Sequence, residues 1–198
     1  DRERVKNMTR RAIKTSTYIM APLMMGLAFC ATPIVRLILT EKWLPCVPYL
    51  QIFCITYMFW PINTANLNAI NAMGRSDYFL KLEIAKKAIC MILLNSTMHF
   101  GVMVMAYTLL VSTVTSMIIN SWPNKTLLGY SFKEQMVDIF PGVFLALIMV
   151  VAISLIRLLM LPDIVTLAIQ ILVGAAIYIG LSAIFKVESF EYLWNMVK

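Results

Sequence analysis

Between Lys87 and Lys125 the chain carries no aspartate, glutamate, lysine or arginine, and from Ala88 to Asn120 it is almost continuously apolar. Wound as one α-helix at about 1.5 Å per residue, that stretch would reach about 50 Å, well past a hydrocarbon core about 30 Å thick. No soluble domain has a place for such a run. Two spans fit it better, about 82–98 and about 102–121, reversed at "HFG", where Gly101 supplies the pivot.

The same problem recurs along the whole chain. Hydrophobic residues make up 61% and charged residues 14%, against about 45–50% and about 25% in soluble domains. So few charges cannot coat a soluble surface, and the fold class expected is an all-α polytopic membrane protein. A spanning helix needs about 20 mainly apolar residues. Six transmembrane helices are predicted, four within 16–121 (about 16–39, 49–73, 82–98 and 102–121) and two within 143–185 (about 143–161 and 164–185). Pro22, Gly26 and Pro33 are expected kinks in the first. Gly74 suits the left-handed end of the second, and Asp163 is placed to cap the last. Residues 1–15 form a basic amphipathic segment. Residues 122–142 form a loop with a short interfacial helix, started by a Ser131–Glu134 capping box and broken at Pro141 and Gly142. In the tail, 186–198, Val187, Phe190, Leu193, Trp194 and Val197 recur at helical spacing, as in a helix lying in the interface.

The net charge of +7 is read as topology, not as a nucleic-acid signal. Arg2, Arg4, Lys6, Arg10, Arg11, Lys14, Arg75, Lys81, Lys86, Lys87, Lys125, Lys133, Lys186 and Lys198 fall on one side of the six-span arrangement. Arg36, Lys42 and Arg157 fall on the other. The positive-inside rule then places both termini in the cytoplasm. The chain opens on Asp1 with no signal-peptide core, and is expected to be part of a longer polypeptide whose earlier part inserts first.

Reactive chemistry is sparse. Cys30, Cys46, Cys54 and Cys90 form no CxxC pair and read as small packing residues. His99 lacks the partners of a metal site, and no GxxxxGK[ST] or GxGxxG loop is present. Three Asn-x-Ser/Thr matches, at Asn7, Asn95 and Asn124, are read as chance. Glu83 is expected to pair on the surface with Lys86 or Lys87. Neither enzymatic chemistry nor a cofactor is expected, and no carboxylate falls near the midplane.

Against this background the segment "NTANLNAINAMGRSD", residues 63–77, stands out. At 100° per residue, Thr64, Asn68 and Asn71 share one side of a helix, and Asn63 and Asn66 lie on an adjoining side. Pro61, just upstream, removes a donor and bends the helix. Amides between membrane helices serve as packing glue, worth about 0.6 kcal/mol per bond. A row this dense, opening towards a basic loop at Arg75, fits a hydrated cavity equally well.

The stretches "EKWLPCVPYLQI", "PINTANLNAINAMGRSDYFLKLEIAKK" and "NKTLLGYSFKEQMVDIFP" resemble the polysaccharide biosynthesis, or lipid-linked oligosaccharide flippase, family. That family lies within the multidrug/oligosaccharidyl-lipid/polysaccharide exporter superfamily, and the likeness is to colanic acid and teichuronic acid exporters. The resemblance implies the second-half bundle of a MATE-like transporter fold plus two extra C-terminal helices, in a bacterial inner membrane, with the N-terminal half of the transporter missing. It further implies alternating-access movement of an undecaprenyl-diphosphate-linked oligosaccharide among membrane lipids. Asn63, Thr64, Asn66, Asn68, Asn71 and Arg75 would then line the substrate pathway, amides on sugar hydroxyls and the basic loop on the diphosphate. A drug/cation antiporter of the same superfamily would need an intramembrane acid. A non-transporting scaffold of a polysaccharide synthase assembly would need no hydrated face.

Overall fold

The computed structural model describes residues 2–156 and 162–197, without the side chains of Met196 and Val197. Arg157 and Lys198, both used in the charge argument, and the predicted end of the fifth span at 161 lie outside the described residues. All the described elements are helical: α1 (Arg2–Phe29), α2 (Ala31–Ile38), a 3-10 turn (Glu41–Cys46), α3 (Val47–Met58), α4 (Trp60–Ala72), α5 (Ser76–Thr97), a second 3-10 turn (Met98–Phe100), α6 (Val102–Leu128), α7 (Phe132–Ile156), α8 (Asp163–Ile184) and α9 (Glu188–Val197).

Prolines set the breaks, four residues downstream of where they act. Pro33 has no N–H for the Phe29 carbonyl, and its ring crowds that oxygen. The helix therefore stops at Phe29 and resumes as α2, bent by 66°. The bend falls at Cys30, not at the expected kinks Pro22 and Gly26, which α1 carries through. Pro61 acts the same way on Tyr57, and α3 ends one residue later, at Met58. Pro22 is tolerated because its orphaned acceptor is used elsewhere: the Tyr178 hydroxyl donates to the Tyr18 carbonyl at 2.7 Å.

Among the described residues, three helices, α6, α7 and α8, are long and apolar enough to cross a membrane, and α1 with α2 makes a fourth if the bent pair is one span. The chain is a multi-pass membrane protein. Of the other predicted spans, 49–73 is divided between α3 and α4, of 12 and 13 residues. The span 82–98 lies on α5, whose first twelve residues include Asp77, Lys81, Glu83, Lys86 and Lys87. Lys86 pairs with Glu83 on one face of α5. The chain reverses at the anticipated place, with Gly101 at φ 98°. Gly74 ends α4 at φ 69°.

Two predicted boundaries move. α6 runs to Leu128 because Asn120, Ser121, Asn124 and Leu128 are buried, so packing holds the helix past residue 121. Gly129 then ends it at φ 62°. α7 begins at the expected capping box, with the Ser131 N–H donating to Glu134 Oε2 at 2.7 Å and the Glu134 N–H to Ser131 Oγ at 3.3 Å. It then passes through Pro141 without a break. Asp163 is the first residue of α8, and no side chain caps that end.

The chain forms two compact units. The first comprises Asp1–Thr17 and Phe59–Ile139. Its core joins Ile13, Ile62, Ala69, Met117, Leu128, Tyr130 and Ile139. The second comprises Tyr18–Met58 and Phe140–Lys198. There α8 buries Thr166, Gln170, Gly174, Tyr178 and Ser182, every fourth residue, and exposes Ile164, Ile171, Leu172 and Ile179. This reversal of soluble amphipathicity is what a lipid solvent imposes: small and polar groups pack between helices while Ile and Leu face outwards. Gly174 brings the α8 backbone close enough that a Cβ there would lie 3.3 Å from Ile153 Cγ2. Tyr18 donates to Ser182 Oγ at 2.7 Å. At the bend, Gln51 donates to the Ala28 carbonyl at 3.1 Å and Cys30 to Gln170 Oε1 at 3.4 Å.

Candidate functional site

α4 places the asparagine row, and its periodicity splits the row in two. Ile62, Asn66, Ala69 and Ile70 are buried, while Trp60, Thr64, Asn68 and Asn71 are exposed. Asn66, at 0% exposure, has its hydrogen-bonding capacity filled by α6 and α7. Its Nδ2 donates to Gln135 Oε1 at 2.9 Å and Ser121 Oγ at 3.3 Å. Its Oδ1 accepts from Gln135 Nε2 at 3.0 Å and Asn124 Nδ2 at 2.7 Å. Asn63, half-buried, accepts from Asn120 Nδ2 at 2.9 Å. These two members of the row are interhelical glue, and their amides point away from the exposed side.

Thr64, Asn68 and Asn71 share the opposite face. Thr64 Oγ1 donates back to the Trp60 carbonyl at 3.2 Å. Just past Gly74, Arg75 lies in a two-point pair with Asp77, Nε–Oδ1 at 3.0 Å and Nη2–Oδ2 at 3.1 Å, and its guanidinium stacks 4.4 Å over the Tyr78 ring. Those hydrogen bonds hold the Asp77 carboxyl below the usual carboxylate range. A phosphate reaching Arg75 must therefore compete with an ionised partner already seated on its fork.

A second cluster in the same unit escaped the sequence reading. Asp138, with a side chain 4% exposed, accepts from Arg10 Nε and Nη2, each at 2.7 Å, and from the Tyr130 hydroxyl at 2.9 Å. Lys14 Nζ lies 3.4 Å away. Lys6 Nζ donates to the Gly129 carbonyl at 2.8 Å. Burial, then the Asp138 carboxylate, push the Tyr130 phenol upwards, so it remains a neutral donor. The only sequence signal was the four-residue spacing of Lys6, Arg10 and Lys14; their partners lie more than a hundred positions away. These basic side chains, read as topology signals, thus also tie α1 to the α6–α7 corner.

The fold and this polar face describe a multi-pass membrane protein with a hydrophilic strip on one helix. Residues 1–48 match the sequence profile of a family described as polysaccharide biosynthesis protein. The chain is 27% identical over 172 residues to an uncharacterized membrane protein of Methanocaldococcus jannaschii, an alignment that covers 84% of this chain and 32% of that protein. It therefore spans about a third of the length of the curated relative it matches. No solved structure matches it.

Proposed function

We propose that the chain is the C-terminal part of a membrane flippase that translocates undecaprenyl-diphosphate-linked oligosaccharide, or exports polysaccharide, by alternating access. It would sit in a bacterial inner membrane, with both termini cytoplasmic, as the second-half bundle of a MATE-like fold plus two further helices. One observation carries this reading: Thr64, Asn68 and Asn71 are exposed along one face of α4, whereas between Ile164 and Ile184 the exposed residues of α8 are Ile, Leu, Val and Ala alone. Unpaired amides cost several kcal/mol in hydrocarbon, so this face must meet water, protein or a polar ligand. The profile match over residues 1–48 supports a sugar as that ligand.

The amides suit sugar hydroxyls, which need partners that both donate and accept. The charges at Arg75, Lys81, Lys86 and Lys87 suit the diphosphate. Translocation requires no covalent step. The antiporter reading is weaker, because α4, α6 and the middle of α8 carry no carboxylate. The scaffold reading leaves the polar face without a purpose.

The test uses the full-length protein in proteoliposomes that contain undecaprenyl-diphosphate oligosaccharide with a fluorophore on the sugar. An impermeant reductant bleaches the outer leaflet. Protein-dependent bleaching beyond the outer-leaflet fraction is expected, slower in Asn68→Leu and Asn71→Leu. Bleaching equal to protein-free vesicles would refute translocation.

A further inference from the structure

The polar row of α4 runs into a charged corner. Gly74 ends the helix at φ 69°, and the side chains of Arg75 and Asp77 that follow are 44% and 50% exposed. An exposed arginine ordinarily trails in water, because ordering so long a side chain costs entropy. Arg75 does not trail. Its Nε and Nη2 both donate to the Asp77 carboxylate, at 3.0 and 3.1 Å, while the Tyr78 ring lies 4.4 Å beneath its guanidinium. An acid in the first turn of a helix is ordinary by itself, since it faces the positive end of the dipole. A two-point grip on the arginine just before the helix is a further commitment. It seats a resident anion on the guanidinium that stands at the end of the exposed amides.

That anion weakens any phosphate placed on the same guanidinium. If the phosphate takes the edge that Asp77 holds, an exposed ion pair must open first, which lowers affinity by up to about fivefold. If it takes another edge, it lies about 6 Å from the carboxylate, where like charges in water lower affinity by about threefold per unit charge. Both routes speed departure. A pathway needs sites that attract its cargo and still let it go. We propose that Asp77 is a built-in release device for the diphosphate: it shares Arg75 with the arriving carrier and reclaims it as the carrier leaves, so that Arg75 is a station and not a trap. The proposal rests on the flippase reading and adds how one charged group of that pathway is regulated. Because the competitor is two residues away along the chain, it is always at hand, whatever the concentration of free anions.

The experiment has two readouts on the full-length protein: release of bare undecaprenyl diphosphate from the purified protein, and bleaching of saturating fluorescent oligosaccharide carrier in proteoliposomes. Asp77→Asn should slow release by about three- to fivefold and slow bleaching in step. Asp77→Glu, which keeps the charge, should release like the wild type. In an Arg75→Gln background, Asp77→Asn should leave release unchanged, which separates an action through Arg75 from a mere change of net charge. Wild-type or faster release in Asp77→Asn, the same slowing in the Arg75→Gln background, or slowed release with unslowed bleaching would overturn the device and leave the flippase reading standing. Wild-type bleaching equal to that of protein-free vesicles would overturn the flippase reading and the device with it.

Discussion

Asn66 and Asn68 are two residues apart, chemically identical and oppositely placed, so replacing each by leucine separates packing from function. Asn66→Leu removes four side-chain hydrogen bonds, to Gln135 twice, Ser121 and Asn124. At about 0.6 kcal/mol each inside a membrane protein, that loss is about 2.4 kcal/mol. Gln135, 0% exposed, keeps the Ser121 hydroxyl on its Oε1 at 3.0 Å but loses the acceptor of its Nε2, which adds about 1–3 kcal/mol. The expected destabilisation is therefore about 3–5 kcal/mol. Asn68→Leu removes an exposed group and should stay within about 0.5 kcal/mol. Reversible SDS titration of the purified full-length protein reads both. Pairing Asn66→Leu with Gln135→Leu should cost less than the sum of the singles by about 1 kcal/mol or more, because both polar partners then leave together. Equal midpoints for Asn66→Leu and Asn68→Leu would refute the division of α4 into a packed and an open face.

Five further outcomes follow. Asp138→Asn should destabilise by about 1–3 kcal/mol in the same titration, since it strips the charge from bonds to Arg10 and Tyr130. Gly129→Ala has room for its Cβ, with Lys6 Nζ the nearest atom at 3.9 Å, so its cost should be the left-handed backbone alone, about 1–2 kcal/mol. Gly180→Ala, a helical position with no neighbour within 4 Å of the new Cβ, should by the same assay be neutral or slightly stabilising. Asp77→Asn frees the Arg75 fork and should tighten bare undecaprenyl diphosphate by up to about fivefold, the scale of an exposed ion pair; unchanged affinity would remove Arg75 from the phosphate path. For orientation, an impermeant thiol reagent on intact cells should label Cys46 and spare a cysteine introduced at Ser76.

Much of the fold was legible because lipid leaves so few options. Apolar runs too long for one crossing forced the turn at residues 98–101, and Gly74 and the Ser131–Glu134 box marked real helix ends. What the sequence hid was non-local. Pro141 looks like a helix breaker, yet α7 continues, with Gly142 packed so closely that a Cβ there would lie 3.4 Å from the Tyr18 Cα. Pro33 announces a kink, but the bend lies a turn upstream, where the missing N–H is felt. The Thr166, Gln170, Gly174, Tyr178, Ser182 stripe was visible at a spacing of four and was passed over because hydropathy averages it away. Of the candidate site, the existence of two faces on α4 could be read from 100° spacing. Which face packs could not, because that depends on Ser121, Asn124 and Gln135 arriving from α6 and α7.

The central claim is that one side of α4 is open to water and sugar while the other is sealed, and thiol labelling along the helix tests it most directly. In a cysteine-free full-length protein, single cysteines at Thr64, Asn68 and Asn71 should react with a water-soluble maleimide, and cysteines at Ile62, Asn66 and Ala69 should not. Undecaprenyl-diphosphate trisaccharide should slow labelling at the first three, whereas the bare carrier should not. Uniform protection along α4, or reactive positions that the glycosylated carrier leaves unchanged, would contradict the account.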